Sequence, residues 1–451
     1  MQQNKILFFN IGNRDVKING EVIDKNEIRS KGKEILNNFE EYKDKISIEL
    51  VKPIIEEFKN ETEKIYLFVT NQEDRLYKGQ DTLYLGEIIK KVVEEDYGIE
   101  CEIKQYIFNP THYNLVFDYF VNFFRDFDDS KTKIISTSGG VPAMKFGILI
   151  VATTLFNNLE VYSLDEKTNE VRSVDYQNTL KKEFIKKSAL EFLDRHNYGA
   201  IIDLLEKNNL GDKRLHLLLK YANSRLNFNF ERSNVSLNEF MEQIPSIEKE
   251  RYEELAINFS DGENLDFISL ISELFSNMVI KWDNKDYIDF VGRLYRFNET
   301  IPQIIFEKET DQKIDWESRE EGNKQFMDIL TGYPELENKI RDKSNINKDE
   351  KIKANAQALE ICFNYFVEKN GSEIGPVYDI YNKIKSTIDE TRHYTIVAHG
   401  FKGISKKDIF ESYGNDHLIE DLEKVTTQLN KGYVNPFDSI NNILKEHIVE
   451  L

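Results

Sequence analysis

Along the first 175 residues, apolar positions fall into short, nearly continuous runs separated by stretches with helical spacing. The runs "ILFFNIG" (6–12), "IYLFVT" (65–70), "CEIKQYIF" (101–108), "KIIST" (133–137) and "LEVYSL" (159–164) are rich in β-branched and aromatic residues and read as strands. Between them, residues 82–96, 113–127 and 142–156 carry apolar positions at helical intervals. Strand and helix in alternation predict βαβ units around a largely parallel sheet. "VKINGEVI" (16–23), with Asn19-Gly20 at its centre, predicts a hairpin inserted after the first strand.

Beyond Tyr176 the strand signal fades. Segments such as "LKKEFIKKSALEFLDRH" (180–196) and "NLDFISLISELFSNMVIKW" (264–282) have helical periodicity, so the second half is expected to be all-α. The junction falls in "SVDYQNTLKK" (173–182), where Asn178 or Thr179 is a candidate cap for the first helix of the second part. A weaker boundary is placed at "FSDGEN" (259–264).

A chain of 451 residues exceeds one ordinary core, and 12% aromatic content supplies material for two or three. A formal charge of −20 argues against a broad, sequence-blind grip on nucleic acid, while leaving room for a small basic RNA site. The two cysteines, Cys101 and Cys362, fit neither a disulfide framework nor a zinc spacing and point to a reducing cytosol. The longest apolar run, "FGILIVATTLF" (146–156), falls short of the roughly 20 residues that cross a bilayer. The first residues show no basic leader before an apolar region. A cytoplasmic protein with no membrane partner is expected.

"KIISTSGGVPAMKFG" (133–147) carries the chemistry of the first half. A buried strand runs into Ser136, Thr137 and Ser138, Gly139-Gly140 permits a tight turn, and Pro142 suits the first position of a helix. Val141 completes the turn and Lys145 stands one helical turn on. The helix N-terminus is thereby aimed at whatever lies beyond the strand's carboxyl end, a place receptive to anions such as phosphates. Other strand ends converge on the same edge with polar groups: Asn10, Gly12, Asn13 and Arg14 after the first, Thr70, Asn71 and Gln72 after another, and Asn109 after a third. These suit a nucleobase or ribose. Neither G-x-G-x-x-G nor G-x-x-x-x-G-K-[ST] is present, so a dinucleotide cofactor and a P-loop lose their main support. A plain reading stays open, in which Gly-Gly only turns the chain.

Near the other end, "DETRHYTIVAHGFKG" (389–403) sets Arg392 seven residues before His399. On a straight helix the two would differ by about 20° in direction and share a face, with Gly400 and Gly403 as a stop. Cleavage of RNA by its own 2′-hydroxyl needs proton transfer and stabilisation of a crowded anionic phosphorane. A histidine supplies the first and an arginine fork the second, without a metal. The competing reading makes His399 a helix-end residue and Arg392 a surface ion pair.

"ISTSGGVPAMKFGILIVA", "FNIGNRD" and "FVTNQ" together resemble a CARF domain, the CRISPR-associated Rossmann fold that senses cyclic oligoadenylates. "RHYTIVAHG" resembles the R-x(4-6)-H signature of HEPN ribonucleases, and "YIDFVGRLYRFNE" (287–299) resembles an internal helix of the CARF-HEPN accessory ribonucleases of type III CRISPR systems, the Csm-six type. The resemblance implies an α/β Rossmann-like CARF domain over 1–176, a connecting helical segment over 177–262, and an all-α HEPN-containing region over 263–451. It implies a homodimer binding one cyclic tetra- or hexa-adenylate activator across its two-fold axis, with no other cofactor. It also implies a composite site in which Arg392 and His399 of both chains cleave single-stranded RNA to 2′,3′-cyclic phosphate ends. Two departures stand out. His393 follows the arginine where many members have Asn, and is kept as a third catalytic candidate. Val141 stands where the turn often has Thr, which puts self-cleavage of the activator in doubt.

Three other readings have residues behind them or lack them. Asp96 with "ECEIK" (100–104) imitates the D…E-x-K pattern of metal-dependent nucleases, although E-x-K arises easily in so charged a chain. A non-catalytic CARF regulator would need an effector surface, and no basic DNA-recognition helix is visible. A small-molecule Rossmann enzyme lacks both fingerprint and nucleophile.

Overall fold

Strand β1 (Lys5–Asn10) is apolar at its four inner positions, and a strand of that kind requires cover on both faces. In the computed structural model, which describes residues 4–72, 77–165, 167–253, 255–256, 267–316, 318–347, 349–392, 395–397 and 400–451, it has that cover. Leu7 and Phe9 belong to one core with Ile28, Ile54 and Ile88, while Ile6 and Phe8 belong to another with Phe68, Phe120 and Ile148. The helices on the first side are α1 (Ile28–Asn37), α2 (Phe39–Tyr42), α3 (Lys52–Phe58) and α4 (Leu83–Tyr97). On the second are α5 (Tyr113–Phe124) and α6 (Pro142–Leu155).

Directly after β1, strands β2 (Lys17–Ile18), β3 (Glu21–Val22) and β4 (Ile46–Ser47) make a small antiparallel sheet. Asn19 and Gly20 have φ of 52° and 81°, the left-handed pair that a two-residue hairpin needs, so the expected hairpin is present. The main sheet adds β5 (Thr62–Thr70), β6 (Glu100–Tyr106), β7 (Thr132–Ser136), β8 (Leu159–Asp165) and β9 (Glu170–Ser173), in the order β6-β5-β1-β7-β8-β9. Every pairing is parallel except that of β8 with β9. The chain steps outward from β1 through β5 to β6, then returns to place β7 on the other side of β1. Their carboxyl ends flank the topological switch point where α/β sheets bind ligands. The five expected strands are found; β9, a polar edge strand with no apolar alternation to announce it, was not expected.

Contacts divide the chain into two compact units, Met1–Phe184 and Ile185–Leu451. Helix α7 (Tyr176–Leu193) begins earlier than its expected caps, which puts Asn178 and Thr179 inside it. The Asn178 amide donates to the Asp175 carbonyl at 3.1 Å, so the first turn already closes there. The weaker boundary at 259–264 lies outside the described residues.

The second unit is helical, with one isolated bridge between Thr395 and Lys402 among its described residues. It continues with α8 (Tyr198–Lys207), α9 (Lys213–Leu226), α10 (Phe230–Glu242), α11 (Glu250–Glu253), α12 (Phe267–Asp283), α13 (Tyr287–Thr310), α14 (Arg319–Leu330) and α15 (Pro334–Ser344). It ends with α16 (Ala356–Arg392), α17 (Lys406–Tyr413), α18 (Leu418–Leu429) and α19 (Pro436–Val449). Helices α12 to α18 share one core. The last helix does not join it: Phe437, Ile440 and Leu444 of α19 pack with Ile185, Ile201 and Leu218 in a second core.

Helix α16 is two helices in one run, broken at Asn370, whose φ and ψ are −124° and 35°. Lys385 bonds both carboxylate oxygens of Glu360 at 2.7 Å, although 25 residues of straight helix would separate them by about 37 Å. Phe363 also meets Tyr378 and Tyr381 ring to ring. The chain therefore folds back at Asn370.

An ion pair ties α9 to α12. Arg225 and Glu273 are 8% and 9% exposed, and the guanidinium also donates to the Leu255 carbonyl at 3.2 Å and to Tyr221 Oη. Removing one partner of such a pair strands a buried charge. Glu273→Ala is expected to lower the unfolding free energy of this unit by about 3–5 kcal/mol. Urea melts followed by tryptophan fluorescence report on it directly, since Trp282 stands on α12 and Trp316 shares its core. A loss below about 1 kcal/mol, the scale of an exposed pair, would contradict the assignment.

Candidate functional site

The first candidate site begins where β1 stops. Asn10 is 2% exposed, donates from Nδ2 to the Met144 carbonyl at 3.3 Å and accepts from Tyr106 Oη at 2.9 Å. It thus joins the ends of β1 and β6 to the first turn of α6. Against it lies the turn leaving β7. A Cβ on Gly139 would stand 1.9 Å from the Asn10 carbonyl oxygen, and one on Gly140, whose φ is +78°, 2.8 Å from the Asn10 Cβ. Only glycines permit that approach. Val141 is extended and Pro142 opens α6, whose first-turn N–H groups have no partner within the helix and face the space beyond the sheet edge. Lys145 Nζ donates to the Ser138 carbonyl at 3.2 Å, which holds its ammonium beside the turn.

The end of β5 is fixed by side chains. Thr70 and Thr82 exchange bonds, each amide donating to the other's hydroxyl at 3.0 and 2.9 Å. Buried Asp81 accepts from the Gln72 amide and from Gln72 Nε2, both at 3.0 Å, and pairs with Arg29 at 3.0 Å. After β6, the Asn109 carboxamide accepts from the Thr111 amide at 3.0 Å and its hydroxyl at 2.8 Å, closing a tight turn.

These loops enclose a cavity of about 530 Å³, within the range of small-molecule sites. Gly12, Asn13, Arg14, Thr70, Gln72, Asn109, Ser138, Gly139, Gly140, Val141 and Lys145 line it, as the sequence led one to expect. Asn10, Asn71, Ser136 and Thr137 do not, because each serves the scaffold. Asn71 accepts from Arg29 at 2.9 Å and donates to Gln105 at 2.8 Å. Ser136 is 2% exposed and accepts from the Ser138 amide, and Thr137 is tied to the Tyr162 carbonyl. The sequence reading missed Lys25, Tyr77, Gln80 and Thr82. Lys25 follows the inserted hairpin and looks like any surface lysine; the length of the 71–82 loop was the available signal for the others. With Arg14, Lys25 and Lys145 against Asp15, the charged groups lining the cavity favour an anion.

At the second candidate site, α16 ends at Arg392. Residues 395–397 form a turn in which Gly400 N donates to the Thr395 carbonyl at 3.0 Å, and Thr395 bridges Lys402. Residues 395–397 are thus not helical, and the expected shared face of Arg392 and His399 falls on residues outside the description. Thr395, Ile396 and Val397 are β-branched in succession, which opposes helix continuation. The Arg392 side chain, His393 and His399 lie outside the described residues. In the D…E-x-K segment, Glu100 and Glu102 each pair with Lys64 at 2.8 Å along the edge of the sheet, and Glu102 also pairs with Lys104.

No family model and no curated protein matches the sequence. Among solved structures, Enterococcus italicus Csm6 bound to cyclic hexa-2′-fluoro-hexa-dAMP aligns over 98% of this chain and 100% of its own, at 13% identity and a TM-score of 0.59. The chain has the Csm6 fold.

The likeness runs through both units, so the expected α/β Rossmann-like domain followed by an all-α region describes the whole chain. Within the Csm6 fold, the glycine turn is the tightest point of the cavity. Gly139→Ala is expected to destabilise the α/β unit by about 1–3 kcal/mol, because the Asn10 carbonyl cannot give way without parting β1 from β7. Gly292→Ala on α13, with no atom within 4 Å of the new Cβ, is expected to stabilise by about 0.5–1 kcal/mol. Thermal melts of the two variants that moved in the same direction would contradict this account of the turn.

Proposed function

We propose that this chain is a cyclic oligoadenylate-activated, metal-independent endoribonuclease of the CARF-HEPN kind, acting in type III CRISPR antiviral defence in the cytoplasm. The observation that carries the reading is the cation-lined cavity at the switch point of a fold whose solved likeness is a Csm6 bound to a cyclic hexa-adenylate analogue. The α/β domain over 1–176 senses the ring. The helical segment over 177–262 connects it to the ribonuclease domain over 263–451.

Two chains pair so that one ring of four or six adenylates, itself two-fold symmetric, spans both cavities. In each cavity the glycine-turn amides and the α6 N-terminus take phosphate oxygens, Lys145 and Arg14 neutralise them, and Gln72 and Asn109 read the adenine or ribose. In the ribonuclease domain, the RNA 2′-hydroxyl attacks the adjacent phosphorus and the 5′-oxygen leaves. Arg392 stabilises the phosphorane, His399 moves the proton, and His393 assists. Products end in 2′,3′-cyclic phosphate. The ring activates by binding one dimer arrangement more tightly than the other.

Purified protein incubated with fluorescent single-stranded RNA in EDTA is expected to cleave with only one of cyclic tetra-adenylate and cyclic hexa-adenylate. Arg392→Ala and His399→Ala should each cut the rate at least 100-fold, the lower end of what a positioned acid-base group contributes. Lys145→Ala should raise the ring concentration for half-maximal activation about 10- to 100-fold, the scale of a charge-assisted hydrogen bond, and leave the saturated rate unchanged. No cleavage with either ring by a folded dimer would overturn the ribonuclease and leave a CARF regulator. Cleavage restored only by a divalent metal would overturn metal independence.

A further inference from the structure

The helical unit holds a second cavity, of about 430 Å³, between α13 and the two arms of α16. On α13, Tyr295, Asn298, Glu299 and Pro302 follow one another at intervals of three, one and three, a single helix face. On the returning arm of α16, Tyr381, Lys385, Ile388 and Asp389 follow at intervals of four, three and one, again a single helix face. That face continues to Arg392, three residues past Asp389 and four past Ile388, so the helix position of the proposed catalytic arginine adjoins the cavity.

The lining has an uncommon polarity. Asn298 is 7% exposed, and its Oδ1 is buried with no hydrogen-bond partner in the protein; Gln303 Oε1, from the same helix, is in the same condition. Buried acceptors without donors are costly, and a ligand that brings donors removes the cost. The carboxylates of Glu299, Glu360 and Asp389 add acceptors. Glu299 is held by Arg296 at 3.8 Å and Glu360 by Lys385 at 2.7 Å, so the cations here are engaged within the protein. Such a lining suits a neutral, donor-bearing ring better than a phosphate. Half-buried Tyr295 adds aromatic surface to the lining.

We propose that this cavity receives an unstacked base of the single-stranded RNA next to the scissile phosphate and selects bases carrying an exocyclic amine (adenine, cytosine or guanine) over uracil. The inference rests on the ribonuclease reading and adds its specificity site. Adenine and cytosine present an NH₂ group, and guanine an NH₂ beside N1–H, to the Asn298 and Gln303 oxygens. Uracil presents a single N–H flanked by two carbonyl oxygens, which would face the same acceptors.

The test is to cleave a randomised single-stranded RNA pool with the ring-activated protein and sequence the ends, for wild type, Asn298→Ala and Gln303→Ala. The wild type is expected to disfavour uracil about tenfold at one fixed position relative to the cut, the discrimination one hydrogen bond supplies. Each variant should reduce that bias several-fold while still cleaving. Both alanines remove an unpartnered acceptor, so thermal melts should match the wild type, and Gln303→Ala carries the test if Asn298→Ala fails to fold. Cleavage with no bias against uracil, or with a bias that neither variant changes, overturns the base pocket and leaves the ribonuclease standing. Absence of cleavage by the wild type overturns the ribonuclease reading and this inference with it.

Discussion

The approach of the Gly139 backbone to the Asn10 carbonyl, closer than any side chain would allow, sets the geometry of the first site. It brings the ends of β1 and β7 together at the point where the order of the sheet reverses. Asn10 reinforces it from the side, bonded to Met144 and Tyr106. Because that asparagine is fully engaged by the scaffold, the loops that follow it can remain polar and open toward the cavity. The glycines, the α6 N-terminus and Lys145 are then held in place before any ligand arrives, which lowers the ordering cost of binding an anion.

A second constraint governs the helical unit. The break at Asn370 folds α16 onto itself, and the Glu360–Lys385 pair and the Phe363, Tyr378 and Tyr381 rings hold the two arms together. The returning arm is buried along Thr387 and Thr391, whose hydroxyls bond back to Lys383 and Thr387 within the helix. Arg392 is the last residue of that arm, so its backbone is fixed by a long packed helix.

Much of this was legible in the sequence. Apolar runs marked β1, β5 and β7, whose positions are mostly buried, and the β-branched and aromatic residues of β6 and β8 marked those strands, while Asn19-Gly20 marked the hairpin because its turn demands positive φ. Eleven lining residues of the first cavity could be named from strand ends and the turn into α6. What escaped was set by long-range contact. Asn10 and Asn71 look like ligand residues in a loop and become scaffold residues only when Tyr106, Met144 and Arg29 arrive beside them. The start of α7 at Tyr176, the polar edge strand β9 and the reversal at Asn370 carry no periodic signal. After Arg392 the succession Thr395-Ile396-Val397 was the legible sign that residues 395–397 leave the helix.

The central claim is that the α/β unit is a sensor shared by two chains. Calorimetric titration of the purified protein with cyclic tetra-adenylate and with cyclic hexa-adenylate tests it most directly. The account predicts saturable binding of one of the two rings, ending at one ring per two chains. Saturation at one ring per chain, or no binding of either ring to folded protein, would contradict it.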